Sequence, residues 1–332
     1  MIYMSFFIGL ILICKGGDWF VDAASKLSEI LGIPKYVIGA TIVSFATTMP
    51  EIIVSVAAAL DGHSAMAIGN TGIILALSLF FLPVAIKREE YLFKNSLYIG
   101  TLLLLLISFK DRIFDRADCL LLLLAGILFL VENVKNAVCK KEVSNSKRKK
   151  EDMILHKKIQ AGKNGEKKVK NKRSKWKEKQ SSIWETFFWF CIGAVCIVAG
   201  SELLVHSACK IAEILHISED IISVTIVAMG TSLPELVTTV TAILKKESSL
   251  SVGNIIGANM IDSAFILPIC TLLSGEKLPV SLQMAQIDMP LCILISVLAL
   301  LPMLIRQKIK RRDGILVFSI YAGYLLYICW AI

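Results

Sequence analysis

The 332-residue chain is poor in the residues that build soluble metal centres. Its four histidines (His63, His156, His206 and His216) form no H-E-x-x-H arrangement. Its nine cysteines (Cys14, Cys119, Cys139, Cys191, Cys196, Cys209, Cys270, Cys292 and Cys329) include no C-x-x-C pair. Scattered cysteines inside apolar runs are small packing residues, so neither a zinc site nor a disulfide framework is expected. No nucleophile–base pair is visible, which argues against an enzyme; no cofactor is called for.

Charge is scarce too, outside one segment. Lys140 to Lys179 holds 17 Lys/Arg and 5 Asp/Glu, a surplus of 12 against a net +9 for the whole chain, so the remainder carries −3. The overall basicity is therefore local and gives no reason to expect a nucleic-acid partner. The segment is a solvated, partly helical linker, with docking on anionic membrane lipid as the alternative that its Lys/Arg clusters leave open.

What the chain has in abundance is apolar length. Hydrophobic residues make up 55% and the mean hydropathy is +0.69. Runs long enough to cross a bilayer recur ten times, near 2–22, 34–60, 65–86, 95–109, 117–135, 183–206, 218–244, 249–273, 288–305 and 314–332. The pattern predicts an all-α polytopic membrane protein with about ten transmembrane helices. The first run does not have the form of a cleavable signal and is expected to enter the bundle directly. Lys/Arg-rich loops stay cytoplasmic. That rule puts the linker (136–182) inside, with Lys87, Arg88, Lys94, Lys245, Lys246 and the Arg306–Arg312 cluster. Both termini then face outward, in the cell membrane, with five spans on each side: 1–135 and 183–332.

An odd number of spans per half matters because the halves are copies. "GGDWFVDAASKLSEILGIPKYVIGATIVSFATTMPE" (16–51) sets above "GSELLVHSACKIAEILHISEDIISVTIVAMGTSLPE" (200–235) at a constant offset of 184. Gly16, Val21, Ala24, Lys26, Glu29, Thr41, Thr47, Pro50 and Glu51 meet identical partners, and Gly69-Asn70 meets Gly253-Asn254. Five-span copies in one membrane are inverted repeats, the plan of secondary transporters, whose sites lie at the repeat interface.

Each copy carries Thr-x-x-Pro-Glu inside an apolar run. Proline lacks an N–H and clashes with the carbonyl four residues back, so Pro50 and Pro234 are each expected to open a helix. Freed carbonyls at this depth must be satisfied by protein, water or an ion. Glu51 and Glu235 follow directly, each costing at least about 2.5 kcal/mol at the bilayer centre if ionised and unpaired. Carbonyl and carboxylate oxygens together suit a hard cation such as Ca²⁺.

At these residues the chain resembles the sodium/calcium exchanger family, of the calcium/cation antiporter superfamily and the prokaryotic ten-helix type. "GTSLPELVTTVTAILKKESSLSVGNIIGANMID" follows the family's second alpha repeat nearly throughout; "ATTMPEIIVSVAAALDGHSAMAIGN" follows the first. The resemblance implies an antiporter exchanging Na⁺ for Ca²⁺, with these ions as its transported substrates. It implies Glu51 and Glu235 as central ligands, carbonyls from Thr47 and Thr231, hydroxyls from Thr48 and Ser232, outer carbonyls from Ser44 and Ala228, and Asp262 as third carboxylate.

The first repeat departs from the pattern. From Asn70 to Pro83 it is one residue shorter than from Asn254 to Pro268. A gap before Gly72, the alignment that pairs Gly72, Ser78 and Pro83 with Gly257, Ser263 and Pro268, sets Leu77 against Asp262. Without the gap it is Ser78, the weakest member of the candidate set. Ala258 stands where the family has serine. A depleted first repeat leaves H⁺ or K⁺ coupling, or a non-transporting relative, as alternatives. Crowded carboxylates bind protons in competition with cations, so acid is expected to inhibit ion binding.

Overall fold

A computed structural model of the chain describes residues 2–60, 88–160, 166–215, 228–275, 277–307 and 310–331, and it is almost entirely helical there. Helix α1 (Ile2–Leu31) is followed by α2 (Lys35–Ile38), a π-turn (Gly39–Val43) and α3 (Ser44–Leu60). Next come α4 (Arg88–Ser108), α5 (Arg116–Gln160) and α6 (Glu166–Ile214). The second half continues with α7 (Ala228–Thr231), α8 (Leu233–Leu244), α9 (Ser248–Ile261), a π-turn (Asp262–Ile266) and α10 (Leu267–Ser274). A further π-turn (Met284–Asp288) leads into α11 (Met289–Arg306), and α12 (Arg311–Ala331) follows.

Among the described residues, six stretches are long and apolar enough to cross a membrane: Ile2–Leu31, Lys35–Val56, Arg116–Val138, Ile183–Ile214, Ser248–Ser274 and Met284–Arg306. Leu92–Ser108 and Leu233–Leu244 are shorter apolar helices. The run expected at 65–86, with Ser78, and the start of the run at 218–244 lie outside the described residues.

Three local features differ from the sequence expectation. First, α1 runs about nine residues past residue 22, because Ala23, Ala24, Leu27 and Ser28 continue its buried face. It stops where Gly32 turns left-handed (φ 68°) and the Ile33 N–H reaches back to the Ser28 carbonyl at 3.0 Å, a six-to-one closure that caps orphan carbonyls. Second, the linker is helical over most of its length, as extensions of α5 and α6; it has no proline and many Lys, a good helix former. Third, two short loops pair as antiparallel strands, Ile113 with Pro279 and Phe114 with Leu278, a contact between distant residues that no local pattern announces.

The surface is inside out by soluble standards. On α3, Ser44, Thr47, Thr48, Glu51 and Ser55 are buried, at helical spacing, while Phe45, Met49, Ile53 and Val54 are 39–60% exposed. A helix that hides its hydroxyls and carboxylate and shows its aliphatic face fits a lipid solvent and not water.

Helices α1 and α6 pass one another antiparallel in backbone contact. A Cβ on Gly9 would stand 2.9 Å from the Gly200 carbonyl, and one on Gly16 3.0 Å from the Gly193 carbonyl. At the repeat offset, Gly193 is the mate of Gly9 and Gly200 the mate of Gly16. The contact is therefore reciprocal, each member touching the other's counterpart, as a two-fold relation requires. Apart from this pair, Tyr98, Leu102, Phe109, Phe114, Leu122 and Phe129 join residues of α9 and α11 in the main apolar core.

Candidate cation site

The two Thr-x-x-Pro-Glu segments meet in the interior, but their backbones differ. Helix α3 continues through Pro50, so the expectation that this proline opens the helix is corrected: one hydrogen bond is lost and the turns on either side hold. Near Pro234 the helix does break, at Ser232 (φ −89°, ψ 2°), between α7 and α8. Proline suits the first turn of a helix, where its missing N–H goes unused, so the second copy restarts where the first runs on.

Glu51 and Glu235 are 4% and 0% exposed, and Ser44, Thr47, Thr48 and Ser232 are at most 2% exposed. The Ser232 hydroxyl donates to Glu51 Oε1 at 3.1 Å across the two halves. In the counterpart position Thr48 stands beside Glu235, together with Thr47. Residues 48 and 51 thus face 235 and 232 crosswise, the same reciprocity as in the glycine contact. Thr47 donates to the Ser44 carbonyl at 3.1 Å.

Asp262 is 4% exposed and is an electrostatic neighbour of Glu235 and Glu51. It opens the π-turn Asp262–Ile266. Such turns are rare and concentrate at functional sites. The carboxylate oxygens of Glu235 and Asp262 are buried with no hydrogen-bond donor in place. Buried carboxylates in that condition are costly unless a cation or proton meets them. The donor set is rich in hard oxygens and matches what Ca²⁺ or Na⁺ binds.

The cluster is looser than a three-carboxylate grip. Among the described residues, no three His, Cys, Asp or Glu side chains close around one point tightly enough to hold an ion by themselves. Of the expected residues, Ser44, Thr47, Thr48, Glu51, Ser232, Glu235 and Asp262 are buried around the crossing of the two segments, with Thr231 half-buried at the end of α7. Ala228 begins α7, and only its backbone is described. Sequence reasoning left out Thr238 and Thr239, both fully buried on α8; their spacing of three and four residues from Glu235 is the signal that could have found them.

A cavity of about 290 Å³ reaches the site from one side. Pro50, Gly230, Thr231 and Pro234 form one wall, and Ser201, Glu202, Val205, His206 and Cys209 of α6 the other. Two ion-pair groups tie the end of α1 and the start of α2 to the α8–α9 connection. Lys245 Nζ lies 2.7 Å from Asp22 Oδ2 and 3.3 Å from Asp18 Oδ1, and Lys35 Nζ lies 2.6 Å from Glu247 Oε1.

Paired helical segments that bury carboxylates and hydroxyls against a lipid-facing exterior define a membrane protein that handles cations. The family model for the sodium/calcium exchanger protein matches residues 1–134 and 185–330, and the chain belongs to that family. It is 31% identical over 329 residues to the putative antiporter CaxA of Alkalimonas amylolytica, covering 96% of this chain and 95% of that one. It is 28% identical to the sodium/calcium exchanger MaX1 of Methanosarcina acetivorans, covering 98% and 97%. Among solved structures, the sodium-calcium exchanger NCX_Mj soaked with zero Na⁺ and Ca²⁺ superposes with a TM-score of 0.76 at 27% identity, over 98% of each chain. Family and fold are those of cation antiporters, not of enzymes.

Proposed function

We propose that the chain exchanges Na⁺ for Ca²⁺ across the cell membrane by alternating access, as two inverted five-helix repeats (1–135 and 183–332) around one site. The observation that carries the reading is the Ser232–Glu51 hydrogen bond across the two halves, with Thr47 and Thr48 standing beside Glu235, which gathers both repeat glutamates into one buried oxygen-rich place. Glu51 and Glu235 are the central ligands in this reading. The carbonyls of Thr47 and Thr231, then those of Ser44 and Ala228, supply uncharged oxygens, and Asp262 flanks the pair. The antiparallel glycine contact of α1 with α6 supports the inverted relation, since two-fold mates that run antiparallel need an axis in the membrane plane. Sequence charge supports outward termini and a cytoplasmic linker. On that orientation the Lys245 and Lys35 ion pairs close the inner side where α1 gives way to α2, while the cavity beside α6 opens outward.

The π-turn at Asp262–Ile266 supports a different placement of the extra residue. The second repeat has one residue more than the first between its Gly-Asn pair and its proline, and a π-turn is a helix turn with one residue more. Placing the extra residue in Asp262–Ile266, rather than before Gly72, keeps the offset of 184 through Asp262 and pairs it with Ser78. Ser78 then offers a hydroxyl where the second repeat has a carboxylate, and this poorer set of oxygens for Na⁺ leaves proton coupling as the second reading.

The test is ⁴⁵Ca²⁺ uptake into proteoliposomes loaded with Na⁺, K⁺ or neither, with Glu235→Gln as control. Uptake that needs outward-directed Na⁺ and is lost in the variant is the expected result. Uptake that follows only a proton gradient replaces Na⁺ by H⁺, and no flux under any gradient from folded protein overturns transport.

A further inference from the structure

Asn254 is fully buried and carries no charge, yet it makes polar contacts to both halves of the site. Its Nδ2 donates to the Glu235 carbonyl at 3.4 Å and to Thr239 Oγ1 at 3.2 Å. Both amide protons are thereby committed to the single turn of α8 that begins at Glu235. Its Oδ1 faces the Thr47 hydroxyl of the first repeat at 3.5 Å, a longer contact than the one Thr47 makes to the Ser44 carbonyl.

Glycines set the reach of this amide. A Cβ on Gly253 would collide with the Tyr36 carbonyl, and one on Gly257 would collide with Ser44 Oγ and stand 2.7 Å from the Ala40 carbonyl. Helix α9 therefore lies backbone to backbone on α2 and the π-turn Gly39–Val43. Only at that separation does a side chain as short as asparagine span from α9 to α8 on one flank and to Thr47 on the other.

We infer that Asn254 is a positioning residue: it holds the Glu235 turn in register with Thr47 and so sets how closely the two repeats' oxygens converge on a divalent cation. The inference rests on the cation-site reading above and adds a residue that contributes no ligand. Affinity for a hard cation depends on how rigidly its oxygens are held, so losing the amide weakens binding without removing a ligand.

The experiment measures the Ca²⁺ midpoint of thermal stabilisation for the purified full chain, a readout that needs binding but not transport. Asn254→Ala is expected to raise the midpoint roughly five- to tenfold, while transport at saturating Ca²⁺ stays within about twofold of wild type. Thr239→Val, which removes one partner and keeps the shape, raises it less, and the double variant is no worse than Asn254→Ala because both changes break one contact. A midpoint unchanged in Asn254→Ala, or effects that multiply in the double variant, overturns the inference. If Asn254→Ala does not fold, Thr239→Val carries the test, and an unchanged midpoint there overturns it equally. A wild-type chain with no Ca²⁺ stabilisation overturns the cation-site reading itself, an outcome visible before any variant is made.

Discussion

Replacing Glu235 by glutamine separates what this residue does for the ion from what it does to the fold. The side chain is 0% exposed, its oxygens have no donor in place, and Glu51 and Asp262 are its electrostatic neighbours. A unit charge about 4 Å from a cation contributes about 4 kcal/mol at an effective dielectric constant near 20, and more for a divalent ion. Part of that is offset because the carboxylate is itself unfavourable at this depth. Taking about 4 kcal/mol as the net loss, Ca²⁺ affinity falls roughly a thousandfold. The same change relieves repulsion among three buried acids, so the ion-free variant is expected to be at least as heat-stable as wild type. Thermal shift with and without Ca²⁺ reads both effects in one series: the baseline Tm holds or rises by a few degrees, and the Ca²⁺-dependent rise disappears. A variant whose Ca²⁺ midpoint stays within about threefold of wild type would refute the assignment of Glu235. A variant whose ion-free Tm collapses would show that the carboxylate is structural.

Two further outcomes follow from the geometry. Protons and cations compete for Glu51, Glu235 and Asp262, so protonation as the pH falls from about 8 to about 5.5 removes the charge that holds Ca²⁺; uptake measured across that range should decline, and a flat profile refutes the shared-carboxylate site. Gly253→Ala drives a Cβ into the Tyr36 carbonyl and should cost about 1–3 kcal/mol, read as a lower Tm. Gly100→Ala on α4, where a Cβ meets nothing within 4 Å, is its control and should be neutral or gain up to about 1 kcal/mol in helix propensity.

Much of this architecture is written locally. Apolar run length, the Lys/Arg bias of loops and the offset of 184 depend only on the order of residues, and they suffice for a helical membrane bundle with doubled halves. Glu51 and Glu235 were legible for the same reason, because an ionisable residue after proline in an apolar run is costly whatever surrounds it. Three things were decided only by packing. The backbone around the two prolines is one: Pro50 and Pro234 sit in the same Thr-x-x-Pro-Glu pattern, yet α3 runs through the first and the chain breaks before the second. The π-turn at Asp262 is another, since a one-residue length difference shows in sequence without showing where the helix absorbs it. The last is the company each glutamate keeps. Ser232 reaching Glu51, and Asn254 reaching both Thr239 and Thr47, join residues 15 to 207 positions apart. Sequence periodicity places side chains on faces of single helices; which faces meet depends on where glycines let the backbones touch, and that is a property of the assembled bundle.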